Sequence, residues 1–227
     1  MIWKPDYTGR FPRRPHWEID ELESRCEEVM TPFLEARYGQ APVRVPTDAL
    51  TVLIERDAEE LDLDAELFAA DAAEEIHGVT WFFSGAKPRV QINRKLRREF
   101  RRANRYRTTL AHEYGHILLH AWLYERFSRE LPEREPQRCY SRTVQAGIDR
   151  INDWMEWQAG YISGALLMPQ WRVELAARAF GKERGVALPV HSESADGGAM
   201  VERLTRLFDV SREAARVRLL KLGQLAG

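Results

Sequence analysis

Apolar residues recur at helical spacing in the first foldable stretch. Leu22, Cys26, Val29 and Phe33, followed by Arg37 or Tyr38, predict an amphipathic helix from about Trp17 to Tyr38, stopped by Gly39. "VPTDALTVLIER" restarts a short helix with Thr47 or Asp48 as its cap. "LDLDAEL" reads as a brief strand. "GVTWFF" and "RVQIN" are β-rich runs around the turn-forming "SGAKP", which predicts a hairpin. Helices then follow over about Thr108–Tyr124, over "INDWMEWQAGYISGALLMP" up to Pro169, and over about Trp171–Phe180. "GKERGVALPVHSESADGGA" reads as a Gly/Ser-rich loop, and two helices joined at "FDVS", capped by Ser211 and followed by Gly223, close the chain. Residues 1–16, rich in Pro, Arg and aromatics, read as an extended arm. The expected organisation is an arm and helix over 1–45, a catalytic-sized domain over 46–180, a loop over 181–198 and a C-terminal helical hairpin over 199–227. The class is α+β with a small antiparallel sheet.

Composition narrows the function classes. The 227 residues carry a net charge of −1, so no overall field draws the chain to nucleic acid or a membrane. Two cysteines, Cys26 and Cys139, make no disulfide framework and no thiolate cluster. The first twenty residues lack the apolar core of a signal peptide, and no apolar run is long enough to span a bilayer. A soluble, cytoplasmic protein is expected. Residues 93–107 hold eight basic residues and one acid, whereas 55–75 hold ten acids and one arginine. The basic run reads as a solvated helix balanced by the acidic segment rather than as a nucleic-acid surface.

Chemistry concentrates in "RTTLAHEYGHILLH", residues 107–120. Residues four apart share a helix face, so His112 and His116 can aim two imidazole nitrogens at one point. Zinc takes histidine nitrogen readily and, in catalytic sites, keeps one position for water. Glu113, one residue round the helix, suits a general base that does not itself bind the metal. His120 lies a further turn away and reads as a supporting or surface group. The longer zinc motif with a third histidine fails, because its Gly and His positions are Leu119 and Trp122. Gly115 costs about 1 kcal/mol mid-helix relative to Ala, which close approach of another backbone would explain. The third ligand must come from elsewhere. The next helix offers Asp149, Asp153 and Glu156, and Glu156 shares a small-residue face with Gly160 and Ser163.

Three blocks, "RTTLAHEYGHILLH", "EWQAGYISGALLMP" and "FDVSREAARVRLLKLG", resemble in order the ImmA/IrrE family of bacterial metallo-endopeptidases, a branch of the zincin proteases. The similarity runs from about Thr47 to Gly223. It implies a zincin-like fold, zinc held by His112, His116 and Glu156, and Glu113 as the base. It also implies a protein substrate of the helix-turn-helix repressor class. The chain departs from the family pattern at Gln158, where a second Glu is usual, at Gly160 in place of Asn, and at Thr108 in place of an aromatic. Tyr114, Tyr140 and His191 are candidate oxyanion donors, and "RVQIN" is a candidate edge for an extended peptide. The closing helices, with Arg212, Arg216, Arg218 and Lys221, either touch DNA or a repressor, or form a packed hairpin burying Leu204, Leu207, Phe208, Val217 and Leu220. The rival to a protease is a non-catalytic, zinc-containing transcriptional regulator.

Overall fold

The computed structural model describes residues 1–68, 75–128, 137–142 and 153–227. It is mixed α/β, in keeping with the α+β class. The chain divides into two compact units: residues 1–22 with 47–163, and residues 23–46 with 164–227.

In the first unit, the N-terminal arm folds on itself. β1 (Ile2–Pro5) pairs antiparallel with β2 (Arg13–His16), and the Asp6 carboxylate closes the turn by accepting from the Thr8 and Phe11 amides, each at 3.0 Å. α1 (Ile19–Tyr38) lies mostly in the other unit, and α2 (Thr47–Asp57) has Thr47 and Asp48 as its first two residues and buries Ala49, Leu50, Leu53 and Ile54. A four-stranded sheet follows, built from β3 (Glu60–Ala65), β4 (Ile76–Phe83), β5 (Ala86–Asn93) and β6 (Gln137–Arg142) in the order β3-β5-β4-β6. The β4–β5 hairpin is present. Its turn is only Ser84 and Gly85, whose φ of +74° suits a tight reversal, so Lys87 and Pro88 of the expected turn lie in β5.

Two expectations about the sheet need correction. It is not purely antiparallel, because β3 pairs parallel with β5. β5 lies between β3 and β4, an order that no local hairpin pattern reveals. For the same reason "RVQIN" is an inner strand, hydrogen-bonded on both sides, and not a free edge for a peptide. β6 lies in a stretch for which the sequence predicts no element.

The basic run forms α3 (Arg94–Arg98) and leads into α4 (Ala103–Arg126), which packs on α2, β4 and β5. Arg94 pairs with Glu66, Arg97 with Asp64 at 2.9 Å, Arg98 with Asp64 at 3.5 Å, and Arg102 with Glu75. The acidic segment therefore answers the basic one within this unit. α5 (Trp154–Leu167) belongs to the first unit as far as Ser163. An aromatic cluster of Phe11, Phe82, Tyr124, Phe127 and Trp154 ties the arm to the end of α4, with Phe82 stacked on Tyr124 at 4.4 Å.

The second unit holds most of α1 (Ile19–Tyr38), with α6 (Gln170–Arg184), α7 (Ala195–Phe208), α8 (Arg212–Lys221) and a short parallel pair, β7 (Val190–His191) and β8 (Leu225–Ala226). The α1 core stripe within the described burial is Leu22, Cys26, Met30 and Leu34; Val29 and Phe33 flank it half-buried. The Gly/Ser-rich stretch is a shorter loop than expected. α6 continues through Gly181 to a left-handed Gly185, and α7 begins at Ala195, capped by Ser194. Gly181 and Gly197 are packing glycines: a Cβ would fall 2.9 Å from the Val186 carbonyl at the first and 2.3 Å from the His191 carbonyl at the second.

The closing helices form as expected around Ser211, which accepts from the Ala214 amide at 3.1 Å. Their packing face differs from the expected one. Leu204, Phe208, Ala215 and Leu219 are buried, whereas Leu207 and Val217 are 37% and 38% exposed. Arg218 is not a surface cation. Its guanidinium is buried, donating to both Glu23 carboxylate oxygens at 2.6 and 2.7 Å and to the Met168 carbonyl at 2.9 Å. Among the described residues no helix is long and apolar enough to cross a membrane.

Candidate metal centre

α4 carries His112 and His116 on one face, and α5 lies against that face at short range. The contact is made by Gly115: a Cβ there would stand 3.2 Å from the Ala159 Cα and carbonyl oxygen and 3.2 Å from Ile162 Cγ2. The mid-helix glycine thus has the close backbone neighbour that its spacing implies. This approach brings Glu156, one turn before Gly160, up to the two histidines.

The ligand atoms of the three residues gather tightly. His112 Nε2 lies 3.1 Å from His116 Nε2 and 3.2 Å from Glu156 Oε2, and His116 Nε2 lies 3.4 Å from Glu156 Oε1. A tetrahedral ion with ligands at about 2.0–2.2 Å requires them about 3.3–3.5 Å apart. The donor set, two imidazoles and a carboxylate, is also the chemistry that zinc accepts. The residues present therefore fit a metal ion. The His112 and Glu156 side chains are each 14% exposed while His116 is sealed, so the cluster meets solvent on one side only. Burial alone would raise the Glu156 pKa, but the His116 and His112 rings hold it well below the usual carboxylate range.

Glu113 is fully buried beside this cluster. The Thr80 hydroxyl donates to its Oε2 at 2.6 Å, and its Oε1 has no hydrogen-bond partner among the described residues. Burial pushes its pKa up, against the opposing pull of His112, His116 and the Thr80 hydrogen bond. Gly78 makes room for the unpaired oxygen, since a Cβ there would lie 2.6 Å from Oε1. Neither Thr80 nor Gly78 is singled out by the motif. The signal that finds them is the period of two in "GVT", which sets both on one face of β4.

His120 is buried, not at the surface. Its Nδ1 lies 3.1 Å from His116 Nδ1 and its Nε2 lies 3.0 Å from Gln158 Oε1. Burial, then the neighbouring His116, lowers its pKa well below the ordinary histidine value. The buried Cys139 thiol of β6 is hydrogen-bonded to the His116 ring, and burial raises its pKa.

The other candidates are placed elsewhere. Asp153 is taken by Arg10 in a two-pronged pair at 2.6 and 2.7 Å. The Tyr114 hydroxyl donates to Asp57 at 2.9 Å on α2. His191 is an exposed residue of the second unit whose Nδ1 accepts from the Glu193 amide at 3.2 Å. Asp149 and the Tyr140 side chain lie outside the described residues.

No curated protein matches the chain. The family described as peptidase M78, IrrE N-terminal-like domain, matches residues 67–220, a span that takes in the α4 motif, Glu156 and nearly all of the closing helices. With more than half of its length matched, the chain belongs to this peptidase family.

Proposed function

We propose that the chain is a zinc-dependent endopeptidase on a zincin-like scaffold, cutting a protein substrate of the helix-turn-helix repressor class in the cytoplasm. The observation that carries this reading is the set of 3.1–3.4 Å approaches among His112 Nε2, His116 Nε2 and the two Glu156 oxygens, beside a buried, half-unpaired Glu113. His112, His116 and Glu156 hold the metal. Zinc, when bound, supplies a Lewis acid that polarises the scissile carbonyl and acidifies a water.

Glu113 does the proton work. Its raised pKa makes it a stronger base than an exposed carboxylate, and its unpaired Oε1 is the atom free to take a proton from the attacking water. Thr80 holds the other oxygen, so the carboxylate cannot swing away. The same Oε1 then hands the proton to the leaving amine, which prevents the bond from re-forming.

The rival reading, a non-catalytic regulator contacting nucleic acid, has less support, because Arg94, Arg97, Arg98, Arg102 and Arg218 are each paired with an acid. The separating experiment is Glu113→Gln. This variant should keep one equivalent of zinc and its thermal stability while cleavage of a repressor substrate, read by mass spectrometry, disappears. Glu156→Ala should lose the zinc. Full biological activity in Glu113→Gln would defeat the protease reading.

A further inference from the structure

One hydrogen-bond chain in the first unit has its polarity decided at its far end. The Pro15 carbonyl can only accept. The group facing it, at 3.3 Å, is the side-chain amide of Gln158, so that end of the amide must be the NH2. The other end is then the carbonyl oxygen, and it lies 3.0 Å from His120 Nε2, so Nε2 carries the hydrogen. His120 is fully buried, which favours the neutral ring, and a neutral ring with its hydrogen on Nε2 has a lone pair on Nδ1. That lone pair faces His116 Nδ1 at 3.1 Å, and two lone pairs cannot face each other at this distance. His116 Nδ1 must therefore donate. Its Nε2, which points at His112 and Glu156, is then the nitrogen presented to a metal.

We infer that the Pro15 carbonyl, Gln158 and His120 form a positioning relay that holds the His116 Nδ1 hydrogen toward His120 and so presents Nε2 to a metal. Pro15, Gln158, His120 and His116 are all buried, so water does not exchange into the chain and relax its direction. The Trp154 ring packs edge-on against His120 at 5.4 Å and closes one side. The Cys139 thiol beside His116 is a weak sulfur partner and leaves the direction of the oxygen and nitrogen bonds unchanged. The relay also gives the N-terminal hairpin a role. β2 lies outside the matched residues 67–220, yet its backbone ends the chain of bonds that orients a ligand on α4. The amide accepts from His120 on one side and donates to Pro15 on the other; Glu keeps only the acceptor and Leu keeps neither.

The relay rests on the metal-centre reading, and the test separates the two. Zinc affinity is measured by chelator competition in the full-length chain, with circular dichroism and thermal melting as checks on folding. Orienting partners of this kind typically change metal affinity about 10–100-fold. Gln158→Leu should weaken zinc binding by that factor. Gln158→Glu, which keeps an acceptor for His120, should bind zinc within about threefold of wild type while melting lower, because its carboxylate faces the Pro15 carbonyl. In wild-type protein freed of metal, 15N-resolved histidine spectra should find a hydrogen on His116 Nδ1 and the His120 hydrogen on Nε2. Zinc binding by Gln158→Leu equal to wild type, or a His116 Nδ1 that carries no hydrogen, overturns the relay while leaving the metal centre standing. Absence of zinc binding in the wild type overturns the metal centre itself, and the tautomer spectra still decide the relay.

Discussion

Arg218→Met tests the reassignment of Arg218 from surface cation to buried core. The guanidinium donates to both Glu23 oxygens and to the Met168 carbonyl, and the two charged side chains are only 2% and 6% exposed. Met fills similar length without the donors. It leaves a buried carboxylate unpaired by its arginine and a buried carbonyl short of a partner. Removing one member of such a pair typically costs about 3–5 kcal/mol. For a chain of this size each kcal/mol shifts the melting temperature by about 2–4 °C, so a drop of about 6–20 °C is expected. An exposed pair in the same unit supplies the contrast: Arg184 and Asp196 are 54% and 30% exposed, and Arg184→Met should cost no more than about 1 kcal/mol. Adding Glu23→Leu to Arg218→Met should recover much of the loss, since an apolar replacement of a whole buried pair is often close to neutral. Urea unfolding followed by circular dichroism measures all four proteins, with the slope checked for constancy. Equal small losses for Arg218→Met and Arg184→Met would mean that the pair is solvated, and the argument that Arg218 is unavailable to nucleic acid would fall with it.

Two further substitutions probe the site through its glycines. Gly115→Val should destabilise by about 1–3 kcal/mol through overpacking against the Ala159 backbone. It should also weaken zinc binding by displacing α5, whereas Gly160→Ala, which meets nothing within 4 Å, should be neutral or stabilising by up to about 1 kcal/mol; equal melting temperatures for the two variants would contradict the close helix approach. Gly78→Ala should leave zinc content intact and lower turnover by about 10–100-fold, since misplacement of a reacting group by about 1 Å has effects of that order. Unchanged turnover would mean that Oε1 of Glu113 is not held against β4 as described.

The helices were legible because their information is local. The motif helix, the Glu156 helix and the closing pair all follow from apolar spacing, caps and stop signals carried in the same dozen residues. What was not legible is long-range or ambiguous in kind. β6 is six residues in a polar, Arg-containing stretch, and its place is set by pairing with β4 some sixty residues earlier. The parallel pairing of β3 is likewise invisible to a hairpin signal. Glycine marks both flexible loops and close packing, so Gly181 and Gly197 looked like linker although one sits inside α6 and the other in the first turn of α7. Arg218 read as part of a basic face because its spacing matches Arg212 and Arg216 in charge, and only the distant Glu23 makes it core.

The candidate site divides along the same line. Two ligands and a base come from five consecutive residues, and helix geometry alone sets His112 and His116 on one face. That geometry does not say which nitrogen of His116 is free, nor where the Glu113 carboxylate points. Those two choices are made by residues remote in sequence. Gly78 and Thr80 on β4 fix the carboxylate, one by leaving room for Oε1 and the other by binding Oε2. Pro15, Gln158 and His120 set the hydrogen on His116. A helix bearing the same five residues without the strand and hairpin would still present two imidazoles, but as a mixture of tautomers beside a solvated, mobile glutamate. The difference between a histidine-rich helix and a poised hydrolytic centre therefore lies in the sheet and arm packed around it, and substitutions there should alter metal affinity and base strength while leaving the motif untouched.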